Sequence, residues 1–216
     1  MELSAAIFDL DGTIISNEDE YGEAFKIILK RLGVDEKSEY PHLGGIGVAE
    51  NWPIFIKKYS IKTSKSIEEL ATETQAEYIK LIPRVTLQEG FLELVEELRE
   101  SHILLCLATS NTWAIVEKLY DHLGIESCFD SVTTGEEVLI KKPDPEIFLK
   151  AAEKIGVDPS ECLVFEDSRA GVMAAKAAGM KVVGVVRDKE QKKFIIEADL
   201  LINNFDEVSQ DDVAKL

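Results

Sequence analysis

The chain has 216 residues, 45% hydrophobic and 30% charged, the balance of a globular protein with one large core or a core carrying a smaller insert. A formal net charge of −17 argues against a nucleic-acid partner or an anionic membrane surface, and obliges an anionic substrate to find local cations. Cys106, Cys128 and Cys162 have no metal-type spacing. There is no basic segment ahead of a long apolar one and no run near the roughly 18 apolar residues of a membrane span, so a cytoplasmic protein with reduced thiols is expected.

The first apolar run, Ala5-Ala6-Ile7-Phe8, reads as a buried parallel strand leading into Asp9-Leu10-Asp11-Gly12-Thr13. Gly12 implies a sharp turn that carries Asp9 and Asp11 to the rim of a sheet, where α/β folds bind ligands. Carboxylates so close repel, so one is protonated or a cation lies between them. A hard cation held by few protein oxygens is typically Mg2+, which brings phosphate with it. The plain alternative is an acidic turn after a strand.

A helix follows, with Asn17 as its cap, Glu20 three residues on as in a capping box, and Phe25, Ile28, Leu29 and Leu32 as an apolar stripe before Gly33. The texture then changes: Pro41, Gly44-Gly45-Ile46-Gly47, Trp52-Pro53, a lysine-rich stretch and helical patterns around Leu70 and Tyr78, with no convincing strand. Residues 16–84 therefore read as an all-helical cap inserted into a core of residues 1–15 and 85–216.

From Gly90 strands and helices alternate. Phe91, Leu94, Val95 and Leu98 mark a helix, and Ile103–Leu107 a buried strand ending in Ala108-Thr109-Ser110-Asn111. The next helix carries Trp113, Val116, Leu119, Tyr120 and Leu123 on one side and stops at Gly124. Asp144-Pro145 fits an N-cap with proline at the first helical position, and Gly156 closes that helix. Cys162–Phe165 is another buried strand, running into Glu166-Asp167-Ser168, and the alanine-rich helix after it ends at Gly179. Lys181–Val186 and Leu200–Ile202 are the last strands. This alternation predicts an α/β fold, an open, doubly wound, Rossmann-like parallel sheet with right-handed crossovers.

Four polar groups follow strands or lie on strand-to-helix loops: Asp9 with Asp11, Thr109 with Ser110, Lys142, and Glu166 with Asp167. Each alone has an ordinary reading as a helix cap, a surface lysine or a partner of a helix dipole. In a parallel sheet all strand C-termini lie on one edge, so these groups converge, and their chemistry suits phosphoryl transfer. Asp9 is the candidate nucleophile, forming an aspartyl-phosphate, and Asp11 the acid that protonates the leaving oxygen and then deprotonates the attacking water. Lys142, the Thr109 hydroxyl and the Ser110 backbone N–H are candidates for binding phosphate oxygens. Asp9, Asp11, Glu166 and Asp167 are the candidate Mg2+ site.

In these motifs the chain resembles the haloacid dehalogenase superfamily, in the helical-cap subclass of phosphoglycolate-type phosphatases and β-phosphoglucomutases. Asp9-Leu10-Asp11-Gly12-Thr13 is similar to its first motif and Leu107-Ala108-Thr109-Ser110 to its second. Lys142-Pro143-Asp144-Pro145-Glu146-Ile147-Phe148 is similar to the lysine motif, and Val164 through Val172 to the acidic one. The resemblance implies a Rossmann-like core, a mobile helical cap, Mg2+ dependence and the residue roles just given. Lys141 departs from it, since relatives usually have glycine before the motif lysine.

Asp11 decides against dehalogenase chemistry, because halide leaves unprotonated. The mutases of the subclass carry a histidine where Tyr21 stands, basic residues on the loop corresponding to Leu43 through Val48, and a lysine-asparagine pair where this chain has Thr112-Trp113. A mutase also needs a second cationic phosphate site, so the expectation is hydrolysis of a small phosphorylated metabolite by a monomer or weak dimer, with a β-phosphoglucomutase-like phosphomutase as the alternative. A receiver-like module phosphorylated on Asp is the non-enzymatic alternative, though such modules are about half this length and lack the insert. The loop His42-Leu43-Gly44-Gly45-Ile46-Gly47 is the candidate for substrate recognition, or merely a turn between helices, and Trp52 and Trp113 are candidates for the leaving-group pocket.

Overall fold

Strands that are apolar at every position must be covered on both faces, and the alternation of side chains across a strand decides which residues meet which layer. A computed structural model of the chain describes residues 3–39, 41–44, 46–213 and 216. Its strands are β1 (Ala5–Phe8), β2 (Ile15–Ser16), β3 (Thr86–Leu87), β4 (Leu104–Ala108), β5 (Ser131–Thr133), β6 (Cys162–Glu166), β7 (Lys181–Val185) and β8 (Leu200–Ile202). Six of them form one parallel sheet in the order β5-β4-β1-β6-β7-β8. β1 lies near its middle, with Phe8 level with Leu107 on one side and Phe165 on the other.

The helices are α1 (Glu18–Arg31), α2 (Val48–Tyr59), α3 (Ile67–Leu81), α4 (Phe91–Glu100), α5 (Trp113–Leu123), α6 (Glu146–Ile155), α7 (Arg169–Ala177) and the short α8 (Gln210–Val213). Ala6, Phe8, Leu105, Leu107, Leu163 and Phe165 face a core with α4 and α5. Their neighbours Ala5, Ile7, Cys106, Ala108, Cys162 and Val164 face the opposite core, with α6 and α7. The fold is the expected doubly wound α/β sheet. Phe8 stacks on Phe165 at 4.6 Å and 5° and is wholly buried, so Phe8→Ala would cost about 3–5 kcal/mol.

Helices α1, α2 and α3 enclose a smaller core of Phe25, Ile28, Leu29, Trp52, Phe55, Leu70 and Ala71. Where the chain leaves and re-enters the sheet layer, β2 and β3 pair antiparallel, Ile15 opposite Leu87 and Ser16 opposite Thr86. Gln88 N–H adds a bond to the Ile14 carbonyl at 2.9 Å.

Three local expectations need correction. Asn17 stands at the N-cap position of α1 but makes no side-chain cap bond, and Glu20 instead pairs with Arg84 at 3.2 Å; the capping box that forms is Ser66 with Glu69, at the start of α3. Helix α6 begins at Glu146, one residue late, although the Asp144 carboxylate still accepts the Glu146 N–H at 3.0 Å. Trp113, expected on the packed side of α5, is 47% exposed. Among the described residues no helix is long and apolar enough to cross a membrane, and all three cysteines are buried and unpaired.

Candidate active site

From β1 the chain builds outward through β4 to β5, then returns to lay β6, β7 and β8 on the other side. The reversal falls between β1 and β6, and a crevice opens at such a switch point beyond the strand C-termini. Asp9 directly follows β1, while Glu166 ends β6 and Asp167 follows it. After Asp9 the chain turns tightly, the N–H groups of Thr13, Ile14 and Ile15 all reaching the Leu10 carbonyl. Gly12 has φ +78°, and a Cβ there would lie 2.6 Å from Asp167 Oδ2, so this turn requires glycine twice over.

Lys142 Nζ donates to Asp9 Oδ1 at 2.5 Å and to Glu166 Oε1 at 2.8 Å, all three groups being buried. The other Glu166 oxygen accepts the Ser168 N–H at 2.6 Å. That carboxylate packs on Gly171, where a Cβ would stand 1.7 Å from Oε1. The Thr13 hydroxyl lies 3.1 Å from Asp167 Oδ1 and 3.4 Å from Asp9 Oδ2, so one donor bridges the two acids. Asp11 faces elsewhere. Its oxygens accept from Asn17 Nδ2 at 2.5 Å and Asn111 Nδ2 at 2.6 Å. Those amides are held in turn by tyrosines, Asn17 donating to Tyr78 Oη at 2.8 Å and Asn111 Oδ1 accepting from Tyr21 Oη at 2.9 Å. Tyr21 and Tyr78 stack at 3.8 Å.

Burial pushes Asp9 up to about 7, helped by the Glu166 and Asp11 charges and opposed by Lys142. Burial also raises Asp11 to about 6, against the pull of its two amide donors, a value suited to giving and taking protons near neutrality. Asp167 is raised well above the carboxylate range by burial, with Arg187 opposing. For Lys142, burial opposes the charge, but the Asp9 and Glu166 carboxylates outweigh it and hold the amine protonated.

Asp9, Asp11, Ser110, Lys142, Glu166 and Asp167 line one cavity of about 300 Å3. Thr109 does not line it. That residue is wholly buried, its hydroxyl accepting the Asn111 N–H at 3.1 Å. His42, Leu43, Gly44, Ile46 and Gly47 of the candidate recognition loop border the same cavity, whereas Gly45 lies outside the described residues. Trp52 is buried in the smaller core with its Nε1 donating to Thr74 at 3.1 Å, and neither it nor Trp113 lines the cavity. Lys141 does, its Nζ 3.3 Å from Glu50 Oε1 on α2.

The donor set suits a hard divalent cation. The carboxylates of Asp9, Asp11, Glu166 and Asp167 line the cavity with Lys142 against two of them, burial raises Asp9, Asp11 and Asp167, and buried Asp167 Oδ2 has no hydrogen-bond partner among the described residues. Among the described residues no three acidic, His or Cys side chains already form a finished cage. Both oxygens of Glu166, Asp11 and Asp9 accept hydrogen bonds, the one from Thr13 to Asp9 being the longest at 3.4 Å, so Asp167 Oδ2 and then Asp9 Oδ2 are the readiest ligand atoms.

Sequence reasoning overlooked Thr13, Asn17, Asn111 and Arg187 as parts of this site. Arg187 had a readable signal, since it comes just after β7 as Asp9 comes just after β1. Asn17 was hidden by its look of a helix cap.

The sequence profile of haloacid dehalogenase-like hydrolases matches residues 6–185. A phosphorylated carbohydrates phosphatase of Thermotoga maritima is 32% identical over 203 residues, 91% of each chain. Validoxylamine A 7'-phosphate phosphatase of Streptomyces hygroscopicus subsp. limoneus is 32% identical over 94% of each chain. The crystal structure of β-phosphoglucomutase from Clostridium difficile superposes with a TM-score of 0.86 at 28% identity, covering 99% of this chain and 96% of that one.

Proposed function

The chain belongs to the haloacid dehalogenase-like hydrolases and is a phosphoric monoester hydrolase of that family, and from this premise we propose a Mg2+-dependent phosphatase working through a phosphoryl group carried on Asp9. The observation that supports it most is the arrangement of Asp9: fixed by Lys142 on one oxygen, facing Asp167 across the Thr13 hydroxyl with the other, at the floor of a cavity. Asp9 attacks phosphorus in line, and the leaving oxygen departs on the opposite side. Asp11, held by Asn17 and Asn111, gives that oxygen its proton and then takes one from the water that attacks the phosphoaspartate. Lys142 balances charge on the transferring group, and Ser110 on the cavity wall offers its backbone N–H. Thr109 serves beneath by holding Asn111. Mg2+, held by Asp9 and Asp167 with Asp11 and Glu166 as further candidates, would offset the repulsion between carboxylate and phosphate. For Glu166 to ligate directly it must loosen its bond to Lys142.

Residues 16–84 act as a cap that excludes bulk water and selects the leaving group. A relative named for phosphorylated carbohydrates, together with Glu68, Thr72 and Gln75 along the cavity, supports a small polyhydroxylated leaving group. Hydrolysis is favoured over phosphate migration because the further lysine on the cavity, Lys141, is paired with Glu50 and no arginine among the described residues lines it. The test is steady turnover of p-nitrophenyl phosphate and of sugar phosphates with Mg2+, lost in Asp9→Asn at an unchanged circular-dichroism spectrum. Substantial residual activity in that variant would remove Asp9 from the nucleophile's role.

A further inference from the structure

Arg187, on the loop after β7, reaches from the acidic site to the insert. Its Nη1 donates to Glu18 Oε1 at the start of α1, and the other Glu18 oxygen lies 3.0 Å from His42 Nε2 on the candidate recognition loop. Its Nε lies 2.8 Å from Asp167 Oδ2, yet neither of these two buried atoms is aligned in a hydrogen bond. Glu18 thus holds the guanidinium's bond, and Asp167 has only its charge. The slot is built for this. A Cβ on Gly12 would come within 3.3 Å of Arg187 Nε and one on Gly44 within 3.2 Å of Nη2. Gln191 fixes both ends of the contact, its Oε1 accepting the Arg187 N–H at 3.1 Å and its Nε2 donating to the Asp167 carbonyl.

Resting on the reading of Asp9 and Asp167 as the cation site, we propose that Arg187 is a positioning residue shared between Asp167 and Glu18. Glu18, presented by the insert, holds the guanidinium's hydrogen bond and limits its grip on Asp167 to charge at 2.8 Å, which the divalent ion can displace. Without Glu18 the guanidinium turns fully onto Asp167 and competes with the ion. Two substitutions on one ion-pair chain therefore act in opposite directions. Arg187→Met removes the competitor and tightens Mn2+ binding about fivefold or more, while Glu18→Gln weakens it by a similar factor, the range of modest coupling energies. A merely structural role would weaken binding in both.

The experiment is calorimetric titration of the full chain with MnCl2, without substrate, for wild type, Arg187→Met, Glu18→Gln, the double variant and Asp167→Asn. Arg187→Gln repeats the charge removal if Arg187→Met fails to fold. Opposite shifts in the single variants support the proposal, provided that Glu18→Gln changes affinity by less than about twofold once Arg187 is gone, the size of an exposed charge effect. Shifts of the same sign, or tighter binding in Glu18→Gln, would overturn it while leaving the cation site standing. Should Asp167→Asn bind Mn2+ as well as wild type, the cation site itself falls and the proposal with it.

Discussion

Removing divalent cations should make the protein less stable as the pH rises, contrary to the trend expected of a chain rich in salt-bridged carboxylates. Asp9 is raised from 3.8 to about 7 and Asp11 from 3.8 to about 6, both mainly by burial. Between those limits the folded state holds protons that the unfolded chain has already released, so stability is present below about pH 4 and is lost as the pH climbs through the folded values. Moving one carboxyl from 3.8 to about 7 corresponds to about 4 kcal/mol, and from 3.8 to about 6 to about 3 kcal/mol. The two share a pocket, so their joint effect is several kcal/mol, a large part of a domain's total stability, or a fall in Tm of about 10 °C for a chain of this length. Acids with lowered values, such as Glu18 and Asp199, act in the opposite sense, but their contribution is lost only as the pH falls through the acidic range below their ordinary values. The assay is thermal unfolding in EDTA and in MgCl2 from about pH 5 to about pH 7.5. Expected are a falling Tm in EDTA and a Mg2+ stabilisation that grows with pH. A Tm in EDTA that is flat or rising over that window, or a Mg2+ effect equal at both ends, refutes the reasoning.

Asp11→Asn should slow hydrolysis of a sugar phosphate about 10²–10⁴-fold with an unchanged fold, measured as kcat; a normal rate would place the proton shuttle elsewhere. Lys142→Met leaves Asp9 and Glu166 buried without their cation, and urea unfolding at neutral pH should show a loss of about 3–5 kcal/mol together with loss of turnover. Gly171→Ala forces a methyl to within 1.7 Å of the present position of Glu166 Oε1. It should cost about 3 kcal/mol and lower kcat by moving Glu166 off Lys142. Stability and activity equal to wild type would show that Glu166 has room to shift.

The fold was legible because its strands are short, apolar and bounded by polar turns, and five of the six sheet strands could be read in chain order. β5 was missed because Ser131-Val132-Thr133 is a three-residue edge strand with one large apolar side chain, too short for any period to show. The two-stranded pairing of Ile15–Ser16 with Thr86–Leu87 was equally invisible, since it depends on two segments far apart in sequence meeting. Asn17 shows tertiary context overriding a local rule, the Asp11 carboxylate and the Tyr78 hydroxyl capturing an amide that would otherwise cap its helix. The acids and the lysine of the site were readable because strand ends converge in a parallel sheet. The second tier of Thr13, Asn111 and Arg187 was not, because hydroxyls, amides and lone arginines are too common near strand ends to mark a site without coordinates.

The small antiparallel ribbon of Ile15–Ser16 and Thr86–Leu87 has an implication for how such a protein diversifies. An excursion whose departure and return run side by side can grow, shrink or be exchanged while the span bridged at its root stays fixed, and the entropy of a longer excursion rises only slowly with its length. Selectivity, proposed for the excursion, and reactivity, proposed for the strand ends, would then be free to drift under separate pressures.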